Sequence, residues 1–217
     1  MRSIYHCALK KRPAHALDGL CTRVWGAETI TETLCDLNFQ ISPQTFFQVN
    51  TPQAERLYDL ALEAAGLRPD SRVLDAYCGC GTITLAAARR AGHVLGVEIV
   101  PPAISDAKRN ASANGLRGKA DFVCADAAQE IPRRIKAGEK FDSIIVDPPR
   151  KGCDPALIES LIQTQVPRIS YVSCDPGTLA RDVKLLCAGG YSLEWATPVD
   201  MFPGTMHVET VVLLSRA

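Results

Sequence analysis

The stretch VLDAYCGCGT at Val73–Thr82 decides the fold, because a short apolar run leads through a glycine-rich turn into an alanine-rich segment. The turn glycines let backbone N–H groups approach a ligand, and the N-terminus of the following helix favours negative charge. Glu98 ends the next apolar run, and an acid at that position binds ribose hydroxyls in nucleotide-binding folds. The pattern predicts a strand, a turn and a helix that bind a ribose-containing cofactor.

Two features favour S-adenosylmethionine over a nicotinamide dinucleotide as that cofactor. Thr84 stands where the dinucleotide fingerprint has its third small residue. Asp75 lies four residues before the first glycine of the turn, where a carboxylate would repel phosphates but suit a free amine. S-adenosylmethionine has a ribose, an adenine and an amino-acid moiety, and no phosphate. A turn that is merely tight, with no ligand, is the alternative interpretation.

Short apolar runs alternate with helical segments over residues 51–217. The predicted helices are 53–65, 85–91, 102–114, 127–137, 155–163 and 177–187. The predicted strands are 72–75, 94–98, 120–124, 141–146, 169–173, 193–199 and 208–214. This rhythm predicts an α/β fold with a mostly parallel sheet covered on both faces. The last two strands have no helix between them, so we expect an antiparallel pair at one end.

Residues 1–50 contain short strand-like segments and no helix, at 4–9, 22–25, 28–34 and 37–41. So short a β-rich segment is too small for an independent core. We therefore expect residues 1–45 to be the remnant of an upstream or central domain and residues 46–217 to form the main domain.

Composition excludes several classes of protein. The 217 residues are 47% apolar, and 24 basic residues balance 24 acidic ones, which excludes disorder. No apolar run is long enough to span a membrane and no export signal is visible, so we expect a soluble, cytoplasmic monomer with no membrane partner. Zero net charge argues against bulk electrostatic binding of nucleic acid, but not against an enzyme that recognises one nucleotide.

The nine cysteines predict free thiols rather than disulfides, because the chain shows no signal peptide. Cys78 and Cys80 form a C-x-C pair without a second pair, so no metal site is predicted. Cys174 lies between a strand end and a helix that begins near Gly177, where a helix N-terminus lowers a thiol pKa. It is a candidate nucleophile, although a cysteine at a strand end is commonly a small buried apolar residue.

Three acids follow or begin predicted strands. Asp126 could contact an adenine amino group or simply cap a helix. Asp147 precedes two prolines at the C-terminal edge of the sheet, where ligands bind, or belongs to a stiff connector. Glu209 begins the last apolar strand, where burial would raise its pKa and make it a base near neutrality, unless it is exposed. His207 is expected to play a supporting role.

From about Phe39 onward, the chain resembles the catalytic domain of the RNA uracil-5 methyltransferases, which are class I, Rossmann-like S-adenosylmethionine enzymes. The matching segments are Phe46–Asn50, Leu74–Gly81, Val97-Glu98, Asp147–Gly152, Tyr171–Asp182 and Asp200–Glu209. The resemblance implies that residues 46–217 are a catalytic domain that methylates RNA. The DPPRKG stretch at Asp147–Gly152 resembles the 23S ribosomal RNA branch more than the transfer RNA branch.

The resemblance also implies roles for individual residues. Cys174 matches the nucleophile that attacks uracil C6, and Glu209 matches the base that removes the C5 proton. The positions that match cofactor contacts are Gln48, Tyr77, Thr82, Glu98, Asp126 and Asp147. The family usually has Asn and Ala where Asp175 and Gly177 stand, and often His at Gly204. We expect the extra carboxylate of Asp175 to raise the Cys174 pKa and slow attack.

Two other functions stay open. The Asp-Pro-Pro motif could serve an amino-group methyltransferase, whose activity would survive thiol alkylation. The chain could also be a truncated, non-catalytic module that binds S-adenosylmethionine, because family members carry upstream RNA-binding domains, some with an iron–sulfur cluster. Candidate RNA phosphate contacts are Arg150, Lys151 and the cluster Lys10-Lys11-Arg12.

Overall fold

The computed structural model describes residues 1–11 and 19–216. The strands in that part of the chain are β1 (Ser3–Leu9), β2 (Gly19–Gly26), β3 (Ile30–Leu34), β4 (Leu37–Ile41), β5 (Arg72–Ala76), β6 (His93–Glu98), β7 (Ala120–Cys124), β8 (Ser143–Val146), β9 (Arg168–Ser173), β10 (Ser192–Val199) and β11 (Glu209–Ser215). The helices are α1 (Thr51–Ala65), α2 (Thr82–Ala88), α3 (Pro101–Ala113), α4 (Ala127–Lys136), α5 (Pro155–Thr164) and α6 (Pro176–Ala188).

A seven-stranded sheet organises the molecule, in the order β10-β11-β9-β8-β5-β6-β7. The pairs from β9 to β7 are parallel, whereas β11 runs antiparallel to both β9 and β10. The predicted mostly parallel sheet with an antiparallel final pair is therefore confirmed. Strands β6 and β7 follow β5 in sequence and lie on one side of it in the sheet. The next strand, β8, lies on the other side of β5. Ligands bind at such a switch point, beyond the C-terminal ends of the strands.

The sheet buries both faces by simple alternation of side chains. Val73 and Ile145 face the side covered by α1, α2 and α3. Leu74 and Ile144, one residue away in each strand, face the side covered by α4, α5 and α6. Because side chains alternate across a strand, one run of apolar residues supplies both cores.

Helix boundaries follow from local signals in the sequence. Gly66 ends α1 in the left-handed conformation (φ 62°), which glycine adopts without a Cβ penalty. Asp154 and Asp175 cap α5 and α6, and each side chain accepts a hydrogen bond from a backbone N–H of the first turn. These caps fix where the loops after β8 and β9 end.

The N-terminal strands form two separate hairpins, and the first contains a disulfide. Cys7 and Cys21 are directly opposed in β1 and β2 and form a disulfide, which corrects the prediction that all nine cysteines are free thiols. Strand register brings these two side chains together, and spacing along the chain does not reveal it. Arg12 of the predicted phosphate-binding cluster lies outside the described residues.

The second hairpin, β3–β4, packs on the main domain. Leu34, Leu37 and Phe39 are buried in the same apolar cluster as α1. Residues on both sides of the predicted boundary at residue 45 therefore share one core, while the assignment of residues 1–45 to an upstream domain stays a prediction. Within the described residues, no helix is long and apolar enough to cross a membrane.

Candidate active site

The glycine-rich turn between β5 and α2 is held in an unusual backbone conformation. Tyr77, Gly79 and Gly81 all have positive φ angles, of 72°, 53° and 85°. The backbone N–H groups of Tyr77 and Cys78 donate to the carbonyl of Val97 at 2.9 and 3.0 Å, which ties the turn to β6. A Cβ on Gly79 would project into open space, so a ligand can approach the backbone there.

Glu98 at the end of β6 supports this turn. One carboxylate oxygen accepts from the Gly79 N–H at 3.2 Å, and the other accepts from the Val100 N–H at 2.8 Å. The acid predicted to bind ribose therefore lies against the glycine-rich turn, and ribose binding by Glu98 stays a prediction.

A pocket beyond β5 and β8 brings together four of the predicted cofactor residues. Its lining includes Gln48, Tyr77, Thr82 and Asp147. Gln48 is buried and comes from the loop after β4. Segments far apart in sequence thus enclose one space over the glycine-rich turn.

Asp126 does not belong to the lining of that pocket. Its side chain accepts a hydrogen bond from the Ala128 N–H at 3.0 Å and so caps α4. This contact agrees with the interpretation of Asp126 as a helix cap. Its charge still lies near the Tyr77 hydroxyl, whose pKa is raised by burial, by Cys153 and by Asp126.

Asp75 is the most deeply buried acid of the pocket. One of its oxygens accepts from the Thr84 hydroxyl at 2.6 Å, while the other has no partner among the described residues. Burial, reinforced by the charge of Glu98, raises the pKa of Asp75 to about 7. An unsatisfied buried carboxylate fits a ligand that brings a positive charge. The sequence indicated that Asp75 would suit a free amine, but the family resemblance did not match this acid to a cofactor contact.

Asp147 adds a second perturbed acid at the same edge. It follows β8 directly and is half-buried. Burial raises its pKa to about 8, with further contributions from the charges of Glu209 and Asp75. The pocket thus concentrates carboxyl groups, which suits a cationic ligand and disfavours a phosphate.

Cys174 and Glu209 lie at adjacent ends of two neighbouring strands. Cys174 follows β9, Glu209 begins β11, and the antiparallel register pairs Thr210 with Ser173. Glu209 is 7% exposed, and burial raises its pKa, as predicted, while Arg150 opposes the shift. The thiol of Cys174 lies within the electrostatic reach of both Glu209 and Asp147.

The Cys174 pKa is raised, which corrects the prediction that a helix N-terminus lowers it. Burial makes the largest contribution, followed by the charges of Glu209 and Asp147, and Arg150 acts in the opposite direction. Asp175 is not among the causes, and its carboxylate instead accepts from the Thr178 N–H at 2.9 Å as the α6 cap. The Cys174 pKa is therefore raised, as expected from the Asp175 carboxylate, but burial and the charges of Glu209 and Asp147 raise it instead.

Arg150 carries a positive charge that lowers the pKa of both members of this pair. Its guanidinium lies 3.4 Å from Nδ1 of His207, and both residues are exposed. The backbone carbonyl of Arg150 accepts from the Thr178 hydroxyl at 3.1 Å, which anchors the loop after β8 to α6. The predicted phosphate contact thus lies at the mouth of the site, beside the predicted supporting histidine.

The sequence did not reveal a role for Asp182, which is 1% exposed in α6. Its carboxylate accepts from the Tyr171 hydroxyl at 2.7 Å, the Cys153 N–H at 2.8 Å and the Arg181 guanidinium at 2.8 Å. These contacts join β9, α6 and the loop after β8. An acid on the buried face of an amphipathic helix is the one signal that could have identified it.

Comparison with known proteins assigns the chain to a family. A family model described as tRNA (uracil-5-)-methyltransferase matches residues 27–217. The chain belongs to this family. Within the family, it is 51% identical over 191 residues to an uncharacterized RNA methyltransferase of Halalkalibacterium halodurans, which covers 88% of the chain and 42% of the relative. It is 47% identical to one of Bacillus cereus, which covers 100% of the chain and 47% of the relative.

A solved family structure matches almost the whole chain. The tRNA (uracil-54, C5)-methyltransferase of Pyrococcus abyssi, in complex with S-adenosyl-L-homocysteine, is 36% identical with a TM-score of 0.80. The match covers 98% of this chain and 50% of that one. The chain therefore spans about half the length of the relatives that it matches.

Proposed function

We propose that this chain transfers a methyl group from S-adenosylmethionine to C5 of a uridine in RNA. The observation that carries the proposal is the placement of a half-buried thiol, Cys174, where the strand register brings it beside Glu209 and where the charges of Glu209 and Asp147, which lines the pocket, both act on it. Family membership supports an RNA substrate, because the curated relatives compared above are named RNA methyltransferases. An RNA substrate implies activity in the cytoplasm.

The pocket supports S-adenosylmethionine as the cofactor. Its acidic lining complements a ligand that carries an ammonium and a sulfonium, and the unpaired oxygen of Asp75 offers an acceptor. The residues proposed to hold the cofactor are Gln48, Tyr77, Thr82, Glu98, Asp126 and Asp147. When bound, the cofactor supplies an electrophilic methyl group. The family structure from Pyrococcus abyssi contains the demethylated form of this molecule.

Uracil C5 is a weak nucleophile, so the reaction needs transient covalent activation. In the proposed sequence, the Cys174 thiolate adds to C6 and its electron pair forms the C6–S bond. The displaced π electrons make C5 nucleophilic, and C5 would form a bond to the methyl carbon as the bond from that carbon to the sulfonium breaks, with S-adenosylhomocysteine as the leaving group. Glu209 then takes the C5 proton, the C5–C6 double bond forms again, and the thiolate leaves. The base must first leave its stack to reach a site of this kind.

A 5-fluorouridine RNA tests the covalent step. Fluorine replaces the proton that Glu209 would remove, so we expect a stable adduct with wild-type protein in the presence of S-adenosylmethionine. Cys174→Ser should abolish both turnover and adduct, as measured by intact-mass spectrometry. Cys187→Ser, a half-buried cysteine in α6, is the matched control and should form the adduct normally. An undiminished adduct with Cys174→Ser would exclude the mechanism.

The RNA class is proposed on one segment. Asp147–Gly152 resembles the 23S ribosomal RNA branch, and we propose 23S ribosomal RNA as the substrate. The solved relative acts on transfer RNA according to its name, so both RNA classes belong in any assay.

The length of the relatives favours a second candidate, a module that binds S-adenosylmethionine but holds RNA weakly. The relatives compared above are about twice as long as the match, and we propose that residues 1–45 are the β-rich remnant of an upstream or central domain and that upstream domains hold the RNA. Gel-shift titration at two salt concentrations separates the candidates. A catalytically competent chain binds the RNA with a clear salt dependence, whereas the module alone shows no shift.

A further inference from the structure

Polar side chains of α3 cover the open edge of β4. Three side chains, spaced four residues apart, contact the backbone of alternate residues in β4 and just after it. The pairs are Asp106 with Ser42, Asn110 with Gln40 and Asn114 with Asn38. Four residues advance a helix by about 6 Å and two residues advance a strand by about 6.6 Å, so the two repeats match. We refer to these three pairs as the helix–strand ladder.

The middle pair of the ladder also reaches the glycine-rich turn. Asn110 is fully buried, and its Oδ1 accepts from the Gln40 N–H at 2.8 Å. Its Nδ2 donates to the carbonyl of Gln40 and to the carbonyl of Cys80, both at 3.3 Å. One amide therefore joins β4 to the turn between β5 and α2. Asn114 makes the same two bonds to the strand, but its remaining contact is to its own helix, at the Asn110 carbonyl.

The two segments that Asn110 joins lead into two parts of the lining of the candidate cofactor pocket, which we call its walls. The turn contributes Gly79 and Cys80, and the segment after β4 contributes Gln48. A second contact between the walls runs from the Cys80 thiol to the Phe46 carbonyl at 3.7 Å. The Thr45 hydroxyl, just before that segment, donates to Asp106 at 2.8 Å. The ladder thus fixes both the strand and the start of the loop that closes the pocket.

We propose that Asn110 is a positioning residue of the cofactor site, which sets the separation between the glycine-rich turn and the loop that carries Gln48. The inference rests on the proposed cofactor. Removal of the amide leaves the buried carbonyl of Cys80 unpaired, and an unpaired buried group is costly. The turn then relaxes toward another partner, and the backbone that lines the pocket loses its preset geometry.

The test measures S-adenosylmethionine binding to the purified chain by calorimetry, together with the thermal unfolding midpoint, so that no RNA is needed. The variants are Asn110→Ala, Asn110→Asp and the matched control Asn114→Ala. Asn110→Asp keeps an acceptor for the Gln40 N–H but places a carboxylate oxygen where the amide donor faced Cys80. Asn114→Ala removes a pair of the ladder without touching the turn.

We expect both Asn110 variants to raise the dissociation constant about tenfold, which corresponds to the loss of one buried hydrogen bond. Asn114→Ala should lower the unfolding midpoint but leave the dissociation constant within about twofold of wild type. Folded Asn110 variants with wild-type affinity would overturn the inference, and so would unfolding of both, because Asn110 would then determine the fold. Failure of the wild-type chain to bind would instead reject the proposed cofactor.

Discussion

At the scale of single residues, the site is defined by acids whose pKa values are raised by burial. The pKa values of Asp75, Asp147 and Glu209 are all raised by burial, and those of Asp75 and Asp147 are also raised by neighbouring acids. Cys174 is affected in the same direction. The pocket thus holds groups whose neutral forms are favoured, and a cationic ligand would favour the ionised acids.

The charge of Glu209 should affect the pKa of Cys174. Because a carboxylate nearby disfavours the thiolate, Glu209→Gln should lower the Cys174 pKa and move the pH profile of its alkylation toward lower pH. The rate of iodoacetamide labelling, followed by peptide mass spectrometry from about pH 6 to about pH 10, measures this shift. Labelling of the exposed Cys124 in the same digest is the internal reference. An unchanged profile at Cys174 would show that the two groups do not interact.

The buried Asp75 makes a prediction about stability. Its pKa is about 7 in the folded chain against an ordinary 3.8, so the folded state binds an extra proton between these values. The free energy of unfolding contributed by this group is therefore highest at low pH and is lost as pH rises through about 7. Asp75→Asn should flatten this decline in urea titrations, whereas the exposed Asp70→Asn should not. An equally steep decline in Asp75→Asn would contradict the assignment.

At the scale of elements, boundaries were predictable where short-range signals set them. Strand β7 was predicted at its observed bounds, and the Gly66 stop placed the end of α1 correctly. Helix α2 was predicted to begin at Leu85 but begins at Thr82, because Gly81 adopts a left-handed conformation and the helix starts immediately after it. The alanine run indicated a helix but not its start.

Contacts between distant segments could not be predicted in this way. The partners of Asn110 lie 30 and 70 residues away, and the Cys153 partner of Asp182 lies 29 residues away. Hydrophobic periodicity reports which face of an element is buried, but it does not report which polar group on another element lies opposite. The cofactor motifs were found because their spacing is local, whereas the groups that hold them in place were not.

Helix α6 offers two acids that should differ in their contribution to stability. Asp182→Ala leaves the Tyr171 hydroxyl and the Cys153 N–H without their carboxylate acceptor and removes the ion pair with Arg181, and it should lower the free energy of unfolding by about 3 kcal/mol. Asp175→Ala removes a helix cap and should cost about 1 kcal/mol. Urea unfolding of the two variants, compared with wild type, checks the order. A larger loss at Asp175 would contradict the role given to the Asp182 contacts.

At the scale of the whole molecule, the net charge of the chain is best considered together with its length compared with that of its relatives. The chain has 24 basic and 24 acidic residues, and the acids include those of the pocket. A net charge of zero suits the proposed function, in which this domain would perform chemistry on one nucleotide while other parts of a longer protein would hold the RNA. The matched region is about half of the relatives compared above.

The most direct test of the central claim is nucleoside mass spectrometry of RNA incubated with the chain and isotopically labelled S-adenosylmethionine. We expect label in 5-methyluridine alone, in the 23S ribosomal RNA fraction rather than in transfer RNA, and no label with Cys174→Ser. Label on an exocyclic amino group, or 5-methyluridine formed equally by Cys174→Ser, would contradict the account.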